Sequence, residues 1–168
     1  ILEADSYSEG SVFLHVLGEG FILTLFRSSE FISPTPVEQR MFQLVMQDEA
    51  RHVSYGMQHL KWTIDHTPER KEQLHSALDE GESITINQFD AALTECMIVL
   101  AGKGTKPEQI AEGVKIVGQL QVKQMQEYFH RLRRAGFEDR IARSKFTPML
   151  SQLGLTPEFT AKAAAEVS

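Results

Sequence analysis

The sequence contains a single cysteine, Cys96, and little that is typical of membrane proteins or nucleic-acid binders. One cysteine excludes an internal disulfide and a thiolate metal cluster, and its apolar neighbours predict a buried side chain. The net charge of -6 does not favour a nucleic-acid partner. No uninterrupted apolar run reaches the ~20 residues that span a bilayer, and no secretory signal is visible. We therefore expect a cytoplasmic protein without membrane or nucleic-acid partners.

Signals for β-structure are also scarce, because alternating patterns and the turns Asn-Gly and Asp-Gly are missing. Apolar residues follow helical spacing along most of the 168 residues, a length that suits one domain with a sizeable core. The sequence predicts an all-α bundle in a single domain over 1–168. We divide it into a helix pair over 1–66, further bundle helices over 67–136 and a helical extension over 137–168.

Prolines and glycines set the predicted helix ends, since proline favours the first turn of a helix and glycine its C-terminal end. The Ser29–Pro36 connector, which contains Pro34 and Pro36, separates the first two predicted helices. The predicted helices run from about Tyr7 to Ser28, Pro36 to His66, Pro68 to Glu80, Glu82 to Ala101, Lys106 to Ala135, Ile141 to Leu153, and from Thr156 onward.

Glu49 and His52 stand three residues apart on the second predicted helix, so their side chains share a face. Glu-x-x-His is the spacing with which a helix offers a carboxylate and an imidazole to one metal ion. Glu49 falls on the apolar stripe of this helix, with His52 at the edge of the stripe. The pair is therefore predicted to face the core.

Glu19 lies within an apolar segment of the first predicted helix, where an uncompensated carboxylate is costly. It precedes the connector by about nine residues, and Glu49 follows Pro36 by about thirteen, at ~1.5 Å per residue. The two carboxylates should therefore lie within one turn of the same level on an antiparallel pair. We predict Glu19, Glu49 and His52 to be metal ligands.

Glu19 together with Asp48-Glu49-Ala50-Arg51-His52 resembles the second half-site of the ferritin-like di-iron carboxylate oxygenases. The flanking residues are most similar to the oxidases related to the ribonucleotide reductase small subunit. The resemblance implies a bundle that binds two irons, or manganese and iron, and activates O2 to oxidise a small organic substrate. An electron-donor protein would be a further partner. It also implies that Asp48 holds a histidine ligand and that Arg51 orders this carboxylate.

The family pattern places an earlier half-site, a Glu and a second Glu-x-x-His, before these residues. We expect the chain to be an N-terminally truncated copy whose first half-site lies in a preceding segment. The alternative is a homodimer, in which two chains donate their ligands about a two-fold axis. A downstream set of Glu95, Glu127 and His130 is not expected, because these residues lie at different levels on their helices.

Several other residues carry weaker predictions. His15 lies four residues before Glu19 and Tyr55 three after His52, so both are candidates for the same pocket, although packing roles are the simpler interpretation. Phe21, Phe42 and Met46 are predicted to line an apolar substrate pocket. His75 is predicted to be solvated.

Two other functions remain open. The first is iron storage or ferroxidase activity in a ferritin-like assembly. The second is a metal-free structural partner.

Overall fold

The computed structural model describes residues 5–87 and 91–148, and within these ranges the chain is helical and contains no strand. The all-α prediction is therefore confirmed. A short 3-10 turn, Pro68–Arg70, precedes the third helix. The helices are α1 (Tyr7–Ile32), α2 (Pro36–His66), α3 (Lys71–Asn87), α4 (Ala91–Gly102), α5 (Pro107–Arg134) and α6 (Arg140–Arg143).

The first two helices form a hairpin and pack along each other. A capping box starts α2: the Thr35 hydroxyl accepts a bond from the Glu38 amide at 3.3 Å, and the Glu38 carboxylate accepts one from the Thr35 amide at 3.2 Å. Pro36 occupies the first helical position, as predicted. These caps fix where α2 begins, and with it the level of every side chain along the helix.

Helix α1 changes winding in its first half, where Val12–Gly18 is π-helical. π-Helical turns are rare and frequently occur at functional sites. Val12, Val16 and Leu17 of this segment are buried against α2 and α3. The segment therefore lies at the centre of the fold and ends directly before Glu19.

Among the described residues, α1 is the one single helix long and apolar enough to cross a membrane, with a mean hydropathy of 1.3. The search of the sequence for uninterrupted apolar runs did not detect this helix, because polar residues interrupt its apolar segment. The central helix of a soluble bundle passes the same test, and so does a signal sequence near the N-terminus. In this structure α1 packs against α2, α3 and α5.

A fully buried ion pair, Glu82 with Arg140, ties α3 to α6. One carboxylate oxygen of Glu82 accepts bonds from the Tyr128 hydroxyl at 2.5 Å and from Arg140 Nε at 3.0 Å. The other accepts bonds from the Ser144 hydroxyl at 2.8 Å and the Lys145 amide at 2.7 Å. The carboxylate is thus compensated on both sides, which is the condition for burying a charge.

This network corrects two predictions. The helix boundary predicted between Glu80 and Glu82 is wrong, because α3 continues to Asn87 and carries Glu82 on its buried face. The prediction of a solvated His75 is also wrong. Its side chain is 1% exposed and meets the edge of Phe137. His75 and Glu82 are both covered by the segment after α5. Local sequence patterns do not predict where that segment packs.

Two further predictions, the burial of Cys96 and the length of the helix from Ile141, concern the second half of the chain. Cys96 is exposed, so its predicted burial is wrong, because apolar neighbours in sequence do not determine which side of a helix is packed. The helix predicted from Ile141 is shorter, because α6 ends at Arg143. The remainder of that helix beyond Pro148, and the helix predicted from Thr156, lie outside the described residues.

We expect Glu82→Ala to lower the free energy of unfolding by about 3–5 kcal/mol, because Arg140 would lose its buried partner. Urea denaturation followed by circular dichroism measures this change. Glu72→Ala is the matched control, since it breaks an exposed pair with Arg143. Equal losses in the two variants would contradict a dominant role for the buried pair.

Acid should destabilise the fold through His75. Burial and the charge of Arg143 lower its pKa below the ordinary value of 6.5, against the opposing effect of Asp139. The unfolded ring therefore takes up a proton near pH 6.5 while the folded ring remains neutral, so stability falls as the pH drops through this range. Denaturant midpoints across this range should fall less steeply for His75→Gln than for the wild type. Identical slopes would contradict the assignment.

Candidate metal site between α1 and α2

Glu19, Glu49 and His52 come together between α1 and α2. One potential ligand atom from each lies within 4.8 Å of the others. His52 Nδ1 is 3.4 Å from Glu19 Oε1 and 3.8 Å from Glu49 Oε2. Among the described residues this is the one group of three or more such ligands close enough for a metal ion. Counting residues on both sides of the connector therefore correctly predicted that Glu19 and Glu49 lie at the same level of the helix pair.

The two carboxylates of this group are less exposed to solvent than the imidazole. The side chains of Glu19 and Glu49 are 16% and 21% exposed, whereas that of His52 is 57% exposed. The predicted orientation toward the core thus holds for Glu49 and fails for His52, which lies at the rim of the helix pair. The site is open to solvent on the His52 side.

The Oε2 atom of Glu49 is buried and has no hydrogen-bond partner among the described residues. An unpaired buried acceptor costs about 1–3 kcal/mol, and more when it is charged. A cation bonded to this oxygen would remove that cost. Two carboxylates and an imidazole are also a ligand set that suits iron or manganese. The residues present therefore fit a metal ion.

His15 contacts the site from the π-helical segment. Its Nδ1 atom is 2.5 Å from Glu19 Oε2, and its side chain is 13% exposed. This leaves Glu19 Oε1 facing His52. Of the two candidate pocket residues, His15 is thus the one that the structure places beside the predicted ligands. It restrains the Glu19 carboxylate.

Gly56 makes room for His15. A Cβ atom at this position would lie 2.2 Å from His15 Cβ and 2.5 Å from its Cγ. Helical spacing places Gly56 on the apolar stripe of α2 but does not predict this role. A glycine one turn after His52 on the stripe was the available signal, since a helix interior without a side chain permits close approach.

Tyr55 lies outside the ligand group. It is 58% exposed, accepts a hydrogen bond from the Tyr7 hydroxyl at 3.2 Å and presents its ring to His15 at 5.9 Å. The hydrogen bond to Tyr55 raises the pKa of Tyr7. Tyr55 is therefore a surface residue that borders the site through His15, and the packed position considered for it is not observed.

Asp48 and Arg51 form an ion pair, with Nη1 and Oδ1 2.5 Å apart. Their side chains are 67% and 72% exposed. Within the described residues Asp48 bonds no histidine, so the support of a ligand histidine that the resemblance implies is not seen here. Arg51 does hold the Asp48 carboxylate, as the resemblance implies.

The aromatic residues predicted to line a substrate pocket belong to different packing groups. Phe21 packs against Tyr128 at 5.5 Å and Phe146 at 5.7 Å, in the main core. Phe42 packs against Phe26 at 5.8 Å. A common pocket for these side chains remains a prediction.

The downstream set has other partners. Glu127 pairs with Arg27 and also lies near Arg131. Glu95 is exposed, and burial lowers the pKa of His130. These contacts agree with the expectation that the three residues do not form a second half-site.

Comparison of the chain with protein-family models, curated proteins and solved structures found no match. The ferritin-like interpretation therefore rests on the residues and geometry described above.

We expect Gly56→Ala to destabilise the chain by about 1–3 kcal/mol, because the new methyl group must displace His15. Urea denaturation gives the stability, and NMR of the histidine rings reports the displacement. Gly118→Ala is the control. Its Cβ would meet nothing within 4 Å in α5, so it should stabilise the helix by about 0.5–1 kcal/mol. Two variants of equal stability would contradict the close approach of His15.

Proposed function

We propose that the chain is part of a ferritin-like, non-haem di-iron or manganese–iron oxidase or oxygenase. The observation that supports this most directly is the buried Oε2 atom of Glu49, which has no hydrogen-bond partner among the described residues and lies beside Glu19 and His52. A cation would complete the bonding of this atom. The spaced signature around Glu19 and Glu49 supports the choice of family.

Each residue of the group would have a distinct task. Glu19 and Glu49 would supply carboxylate oxygens, and His52 would supply Nδ1, the ring nitrogen nearest to both carboxylates. His15 would hold Glu19 in place through Oε2. A bound metal pair would supply O2 activation and the oxidation of a small organic substrate, and an electron-donor protein would serve as reductant.

Three ligands of this kind make one half of a two-ion site. The ligands of the other half would come from a segment preceding Glu19 in the complete protein, or from a second copy of the chain. In either arrangement the added ligands must approach on the side where His52 is exposed, because α1 already covers the Glu49 side.

The exposure of His52 favours one second candidate, a ferroxidase or iron-storage protein. A ligand that is 57% exposed lets ions reach the site directly from solvent. The two functions differ in product, since a ferroxidase oxidises iron without an organic substrate. They also differ in assembly, because storage requires a large closed shell of subunits.

The proposal predicts tight binding of ferrous iron under anaerobic conditions, with about two ions in a complete site. Glu49→Ala should abolish this binding, because it removes the ligand whose oxygen lacks another partner. Bound iron after dialysis is the measurement, and dioxygen consumption on exposure to air reports oxidase chemistry.

Glu127→Ala serves as the control, since its carboxylate is also half-buried but is paired with Arg27. It should bind iron as the wild type does. Wild-type protein that stays metal-free after anaerobic reconstitution would contradict the proposal, as would equal loss of iron in the two variants.

A further inference from the structure

Helix α2 has a second apolar face, directed to solvent. Five large side chains on this face, 48–79% exposed, are Val37, Met41, Leu44, Tyr55 and Trp62. Three exposed polar residues, Asp48, Arg51 and Gln58, lie between them on the same face. Together the eight positions follow one another at alternating intervals of four and three residues. We call these eight positions the outer stripe. Large apolar side chains grouped on one exposed helix face favour an interaction site.

The spacing of the outer stripe is that of a coiled-coil seam, in which every third and fourth residue faces a partner helix. It runs from Val37 to Trp62, about 38 Å at a rise of ~1.5 Å per residue. Helix α1 packs mainly on a different face of α2, the one that carries Val53, Gly56 and Leu60. Tyr55 of the outer stripe also touches the start of α1, yet remains 58% exposed. An open depression beside Arg51, Tyr55 and Gln58 provides space for a partner's side chains.

The order of residues along the outer stripe identifies the partner. The stripe is symmetric about the midpoint between Asp48 and Arg51, so an antiparallel copy of α2 matches it position by position. Each Asp48 then faces an Arg51, whereas a parallel copy in register would place Asp48 against Asp48. The opposed pairs are Val37 with Trp62, Met41 with Gln58, Leu44 with Tyr55, and Asp48 with Arg51.

We propose that the outer stripe is the interface of a homodimer in which two α2 helices pack antiparallel. Large apolar side chains flank the centre on both sides, and two Asp48–Arg51 contacts at the centre fix the direction and register. Charged residues at a helix seam act in this way, because they penalise alternative pairings. Within one chain the same two side chains are exposed, where an ion pair contributes little.

The dimer would lie beside His52, which follows Arg51 in α2 and is 57% exposed in the single chain. The inference itself rests on the exposed face of α2 and does not depend on the proposed metal. A failure of iron binding would leave it standing, and a failure of dimerisation would leave the metal proposal standing.

Charge reversal at the centre provides the test. Asp48→Arg places four positive charges at the centre of its own dimer, and Arg51→Asp places four negative charges there. Each variant alone should dimerise at least about tenfold more weakly than the wild type in sedimentation velocity. An equimolar mixture of the two variants should recover the dimer, because every opposed pair is again one acidic and one basic residue.

Asp65→Arg is the matched control. It breaks the exposed pair with Lys61 on the same helix but lies beyond the partner's Pro36 in the antiparallel register. It should dimerise as the wild type does, and circular dichroism verifies that every variant is folded. A monomeric wild type, single variants that dimerise normally, or a mixture that stays monomeric would each overturn the proposal.

Discussion

Two carboxylates facing each other between α1 and α2 are the constraint on which the account depends. Potential ligand oxygens of Glu19 and Glu49 lie within 4.8 Å of each other in a largely buried position. Two like charges at that separation repel by about 3 kcal/mol at an effective dielectric constant of ~20. His15 and His52 both lie beside Glu19, while Glu49 Oε2 has no hydrogen-bond partner among the described residues. The proposed cation would resolve this conflict, because the α1–α2 hairpin holds both carboxylates within reach of one ion.

Much of this arrangement could be predicted from the sequence. The level of Glu19 relative to Glu49 follows from the rise of a helix and from the position of Pro36, both of which are local properties. The exposure of His52 does not, because it depends on how far α1 covers the rim of α2. The role of Gly56 depends in the same way on where the π-helical segment places His15, and the change of winding over Val12–Gly18 leaves no clear pattern in the sequence.

The second half of the chain shows where local patterns fail. Glu82 appeared to mark a polar break between helices, yet it lies at the centre of a buried network because Arg140, 58 residues later, returns to it. Pairing over that separation cannot be inferred from periodicity. The capping of α2 by Thr35 and the positive φ of Gly136 after α5 were predictable, since each depends on a few neighbouring residues.

The central claim is that Glu19, Glu49 and His52 bind one metal through two carboxylates and one imidazole. X-ray absorption spectroscopy at the iron edge, on anaerobically loaded protein, tests this most directly. The account predicts a first shell of oxygen and nitrogen without sulfur, and an imidazole scattering contribution that decreases in His52→Ala while iron stays bound. An identical imidazole contribution in His52→Ala and the wild type would contradict the assigned site.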